Sequence, residues 1–156
     1  MKIENIKTPQ DILEFMNETI EYGWIDKNGK KHIKTMKNFR KDYITQSIDE
    51  TLNNCIDCCV EQVFLMHFLL DKINIKNKMF CCRIYEPDDY DNLEEDEHMH
   101  CFILYYLNNK VYHIEHPNFE KIGIYEYNSQ FYDVLVGPSF KEFNNYINNL
   151  DINKIL

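Results

Sequence analysis

Residues 59–72 read CVEQVFLMHFLLDK, and Val60, Val63, Phe64, Leu65, Met66, Phe68, Leu69 and Leu70 leave that stretch almost no polar face. The spacing predicts a helix from about Cys59 to Lys72. A helix that is apolar nearly all round has to be buried in the middle of its domain, so the other elements must wrap it. A chain of 156 residues is long enough to do so as one domain, 1–156, burying roughly two thirds of the surface its unfolded form exposes.

The wrapping elements are legible in part. Thr8 and Pro9 read as the N-cap and first turn of a helix in which Ile12, Leu13, Met16 and Ile20 recur at helical spacing, with Gly23 ending it. The region 32–50 is ambiguous. Residues 78–86, KMFCCRIYE, have strand character up to Pro87. HMHCFILYYLNNKVYHIEHP, from residue 98, reads as two strands joined at Asn108-Asn109, a pair that tolerates the positive φ of a tight hairpin turn. Beyond Ser129 the pattern suggests a short helix, a Gly137-Pro138 break and an amphipathic helix to about Leu150. The class expected is α+β.

Charge narrows the partners. With 17 basic against 26 acidic residues the net charge is −9, which disfavours a nucleic-acid backbone or an anionic membrane surface. The one basic stretch, 27–41, reads as a solvated loop. MKIENIKTPQ lacks the apolar core of an export signal, and VFLMHFLL is far too short to span a bilayer, so a reducing, cytoplasmic location is expected. The six cysteines are therefore not counted as three disulfides. The run EPDDYDNLEEDE at 86–97, eight acids in twelve residues, reads as a solvated loop without the spacing or the glycine of a calcium-binding hand.

Three chemistries compete for the cysteines. A zinc-binding structural module would draw on Cys55 and Cys58 with a second pair at Cys81-Cys82, but adjacent strand residues point to opposite faces and do not readily share one metal. Core packing suits Cys81, Cys82 and Cys101 among their apolar neighbours. Nucleophilic catalysis suits Cys59 in the first turn of the buried helix, where unpaired N–H groups and the positive dipole end favour a thiolate. Asp57 and Glu61 oppose that effect, so a histidine partner is needed. A two-residue loop at Asn108-Asn109 supplies one by register: Phe102 faces Glu115, Leu104 faces His113, and His100 emerges on the face of Glu115, diagonal to it at roughly 7–8 Å along the backbone. His116 and Cys101 point to the other face.

Four stretches in order, EYGWIDKNGK (21–30), CVEQV (59–63), HCF (100–102) and IEHPNFEKIGIYEY (114–127), resemble the transglutaminase-like superfamily, and most closely its small bacterial members. The resemblance implies a papain-like core, with a central buried helix packed on an antiparallel sheet and flanking N- and C-terminal helices. It implies Cys59 as nucleophile, His100 as general base and then acid, and Glu115 as the residue holding the imidazole. Trp24 and Gln62 are cleft or oxyanion candidates, with a core role for Trp24 as the alternative. The implied activity is acyl transfer or hydrolysis at a peptide or protein amide, with no metal and no cofactor. A non-catalytic interaction domain that keeps the fold is the alternative. The sequence departs from the family pattern at Val60, where an aromatic is usual, at Asp57-Cys58 in place of Gly-Thr, and at Cys101 in place of Thr.

Overall fold

The computed structural model describes residues 2–33, 35, 37–85, 97–116 and 123–126. The acidic run apart from Glu97 and both helices expected after Ser129 lie outside these residues. The described architecture is mixed α+β, and its elements run α1 (Pro9–Thr19), β1 (Glu21–Ile25), β2 (Lys31–Ile33), α2 (Phe39–Asp42), α3 (Ile48–Asn54), β3 (Ile56–Asp57), α4 (Cys59–Lys72), β4 (Asn77–Tyr85), β5 (Glu97–Leu107), β6 (Lys110–Glu115) and β7 (Gly123–Glu126). Strands β4-β5-β6-β7 form an antiparallel sheet in sequence order, while β2-β1-β3 form a smaller sheet in which β1 and β3 run parallel.

Helix α1 starts where expected. The Thr8 hydroxyl accepts from the Asp11 N–H at 3.1 Å and the Asp11 carboxylate accepts from the Thr8 N–H at 2.9 Å, with Pro9 in the first turn. It stops earlier than its apolar spacing suggested. Ile20 caps it, donating to the Met16 carbonyl at 2.8 Å, and Glu21 and Tyr22 turn aside to pair with Ile56 and Asp57 of β3. Gly23 therefore serves a strand and not a helix end. A Cβ there would stand 2.4 Å from the His32 carbonyl oxygen and 2.8 Å from Ile56, so only glycine lets β2 approach this closely.

The ambiguous region resolves into β2, α2 and α3. The short α3 is set by a capping box, with Ser47 N–H donating to Glu50 at 2.8 Å and Glu50 N–H to the Ser47 hydroxyl at 3.3 Å. The β5–β6 hairpin has the expected two-residue loop. Asn108 and Asn109 take φ of 53° and 62°, and Leu104 pairs with His113 and Ile103 with Ile114.

Helix α4 begins and ends as its apolar run indicates. Its Glu61, Gln62, Val63, Leu65, Met66, Leu69 and Leu70 are buried, but Phe64 and Phe68 are each 40% exposed. The helix is thus buried on most of its circumference, with a narrow apolar stripe one turn apart left at the surface. Its buried side joins Ile12, Leu13, Phe15 and Met16 of α1 to Cys101, Ile103, Tyr105 and Ile114 of the sheet in one continuous core. Strand alternation then places His100, Phe102 and Leu104 of β5, and His113 and Glu115 of β6, on the sheet's other face. Among the described residues no helix is long and apolar enough to cross a membrane.

Candidate functional site

The start of α4 is built from buried polar groups. Cys58 is its N-cap. Its backbone N–H donates to Glu61 at 3.1 Å and its thiol donates to the same carboxyl at 2.8 Å, while the second Glu61 oxygen accepts from the Tyr43 hydroxyl at 2.5 Å and the Gln46 N–H at 3.1 Å. Glu61 therefore ties the α2–α3 connection to the helix and holds Cys59 in the first turn. Gln62 reaches the other way, its amide donating to the His116 carbonyl at 2.8 Å and meeting His116 Nδ1 at 3.2 Å. That anchors α4 to the end of β6.

Asp57, immediately before the cap, is fully buried, and among the described residues neither of its carboxyl oxygens meets a hydrogen-bond partner. Burial, reinforced by Glu61 and opposed by Gln62, raises its pKa well above the carboxylate range. A raised folded-state pKa stabilises below the unfolded value of 3.8 and loses that stabilisation as pH rises through the folded one. Asp57→Asn is accordingly expected to melt higher than the wild type at pH 7, by about 2–4 °C for each kcal/mol gained, with the gap closing toward pH 3 in parallel thermal melts.

Cys59 is 8% exposed and meets β5 at Cys101. A helix start by itself lowers a thiol's pKa, but here the hydrogen bond with Cys101 outweighs it. With burial added, and with the Cys58 thiol pulling the other way, the Cys59 thiol is pushed up to about 12 and is neutral at physiological pH. Cys55 is exposed at the end of α3, Cys58 is buried, and Cys101 packs in the core as its apolar neighbours indicated.

One residue before Cys101, His100 stands on the opposite face of β5. Its Nε2 lies 3.6 Å from Glu115 Oε2, so the diagonal pair read from the hairpin register is formed. The same oxygen takes a second imidazole that register counting had only placed opposite Leu104, since His113 Nε2 lies 2.7 Å from it. The signal was present in the sequence, because residues 113 and 115 of one strand share a face. Burial raises the Glu115 pKa, but the imidazoles of His100 and His113 more than offset it and hold the group at about 2, ionised. Tyr22 of β1 feels the charges of both halves of this region. Burial first, and then Cys59, Cys58, Asp57 and Glu115, push its phenol's pKa upward. A single hydroxyl thus lies within electrostatic reach of both the helix start and the carboxylate.

Trp24 is fully buried in β1. It stacks on His32 at 4.0 Å, meets Phe39 edge-on and donates its indole N–H to the Thr35 carbonyl at 2.7 Å. That is the core role given as its alternative, with the indole donor already engaged. His116 is also buried. Burial, opposed by Glu115 and the Met16 carbonyl, depresses its pKa to about 4. Among the described residues no group of three or more His, Cys, Asp or Glu side chains is placed to hold a metal ion. A cavity of about 470 Å³ lined by Ile3, Ser47, Ile48, Leu52, Phe68 and Lys72 borders α3 and α4, and neither Cys59 nor His100 nor Glu115 lines it. Comparison of the chain with models of protein families, with curated proteins and with solved structures found no match.

Proposed function

We propose that the chain is a papain-like, transglutaminase-like thiol enzyme that transfers or hydrolyses acyl groups at peptide or protein amides. Cys59 is the nucleophile, His100 the general base and then acid, and Glu115 the residue that orients the imidazole. The observation that carries this reading is the His100–Glu115 pair at 3.6 Å. Cys59 meets the next residue, Cys101, whose side chain lies on the opposite face of β5, so the reaction requires the imidazole and the thiol to come together with substrate bound. With Nε2 directed at an ionised Glu115, this reading assigns the proton exchange with the thiol to Nδ1.

A thiol whose pKa is pushed up to about 12 does not wait as a thiolate. Attack of Sγ on the carbonyl carbon is therefore coupled to transfer of the S–H proton to His100. Backbone N–H groups at the start of α4 receive the oxyanion, and the resulting imidazolium, held by Glu115, returns the proton to the leaving amine. Water is the acceptor at hand, so hydrolysis is favoured over cross-linking. The chemistry requires no cofactor, and the net charge of −9 stands against a nucleic-acid substrate. The rival reading, an interaction domain that keeps the fold without the reaction, draws on the same neutral, nearly buried thiol.

Acylation by p-nitrophenyl acetate separates the two. A burst of p-nitrophenolate with the acetyl group mapped by mass to Cys59 is expected. Cys59→Ala loses the burst, and His100→Ala slows it roughly 10²- to 10⁴-fold. Acetylation confined to the exposed Cys55, or spread evenly over the thiols, overturns the enzyme reading.

A further inference from the structure

We propose that His113 is a positioning residue that fixes the Glu115 carboxylate so that its charge faces His100. The inference rests on the catalytic reading above and adds to it a fourth member that touches neither the substrate nor Cys59.

A glutamate side chain turns about three bonds, and the His100 contact at 3.6 Å is longer than a well-formed hydrogen bond, so it holds the carboxylate less firmly than a short one. His113, at 2.7 Å, makes the short one. Since an ionised carboxylate only accepts, His113 must present Nε2–H, which fixes its tautomer. Both partners are sealed from water, with 0% and 2% side-chain exposure, so the bond is made where a charge-assisted contact is strongest.

Packing holds the donor in turn. The His113 ring lies 5.3 Å from Phe102 in a tilted contact. Phe102 stacks on Phe80 at 5.2 Å and on His100 at 6.2 Å, so one ring packs on both imidazoles. The two imidazoles reach a single oxygen, His113 at 2.7 Å and His100 at 3.6 Å. Glu115 Oε2 is thereby pinned at one point, and His100 has one direction in which to turn its Nε2–H.

The test uses the full chain, in wild type and as His113→Leu and His113→Gln. Leucine removes the donor at similar volume, and the glutamine amide replaces Nε2–H. Per folded molecule, the acetylation rate of Cys59 by p-nitrophenyl acetate is expected to fall roughly 10- to 100-fold in His113→Leu, the factor carried by a hydrogen bond to a charged group. It is expected to recover in His113→Gln. A folded His113→Leu that acylates at the wild-type rate overturns the proposal.

Imidazole ¹H–¹⁵N spectra of the wild type give a second readout that needs neither a variant nor turnover. His113 is expected as the Nε2–H tautomer with a strongly downfield proton, and an Nδ1–H tautomer overturns the assignment. If the wild type shows no Cys59 acylation at all, the enzyme reading falls by itself. The His113 tautomer, and the His100 tautomer in His113→Leu, still decide whether His113 sets the carboxylate.

Discussion

Glu61→Ala is expected to destabilise the fold by about 3–5 kcal/mol, lowering the melting temperature by about 10 °C or more. The carboxyl is 1% exposed and receives the Tyr43 hydroxyl, the Gln46 N–H, the Cys58 N–H and the Cys58 thiol. Removing it leaves these buried donors without an acceptor, at about 1–3 kcal/mol for each that finds no substitute. Loss of the helix cap accounts for only about 1 kcal/mol of the total. The larger part is the loss of the link from the α2–α3 connection to α4. Glu61→Gln keeps one carbonyl acceptor but turns its amide toward other donors, so its melt should fall between the two. Hydrogen exchange at the Gln46 amide tests the assignment locally, since its protection should vanish in Glu61→Ala. Wild-type protection together with an unchanged melt would show that the hub does not carry the fold.

That hub illustrates which parts of the structure the sequence discloses. The bounds of α4 are legible because an apolar run of that length has few alternatives. The hairpin register is legible because two asparagines accept left-handed backbone that other residues resist. Alternation then places His100 with Glu115 and Cys101 with the core. Helix α3 is hidden because seven residues are too few to show a period, although Ser47 and Glu50 carry its capping signal. Strand β1 is hidden because Ile20 continues the apolar spacing of α1, and only pairing with β3, distant in sequence, ends the helix at Thr19. Phe64 and Phe68 misled for a further reason. Hydrophobicity marks residues that burial would favour, but it does not say how much of the circumference the neighbours cover. At the candidate site the residue types are legible while the thiol's environment is not. A helix start lowers a thiol's pKa, yet Cys101, some forty residues on, sets the opposite direction by one hydrogen bond.

Glu115→Gln is expected to produce the second large effect, on stability and on chemistry together. In the wild type the folded pKa of about 2 lies below the ordinary glutamate value of 4.5. A depressed carboxylate contributes stability that is fully present above about pH 4.5 and is lost as the pH falls toward 2, amounting to about 3 kcal/mol at most from the size of that shift. The glutamine carbonyl can accept from one imidazole, but its amide then opposes the other, and the charge that favours both donors is gone. The variant should therefore be less stable than the wild type by about that amount at pH 6–7, with the difference shrinking between pH 4.5 and 2 in urea melts. His116, depressed to about 4 by burial, makes both proteins lose stability as the pH falls below about 6.5, and more so in the variant, where the Glu115 charge no longer opposes that depression, so the Glu115 contribution is read from the convergence below pH 4. Acylation at Cys59 should fall roughly a thousandfold or more, because an imidazole facing a neutral amide is no longer held in the tautomer that presents Nδ1 to the thiol proton. A stability difference that stays constant from pH 7 to 2 would mean that Glu115 is not ionised between its two histidines. An acylation rate unchanged in the folded variant would mean that His100 does not depend on it.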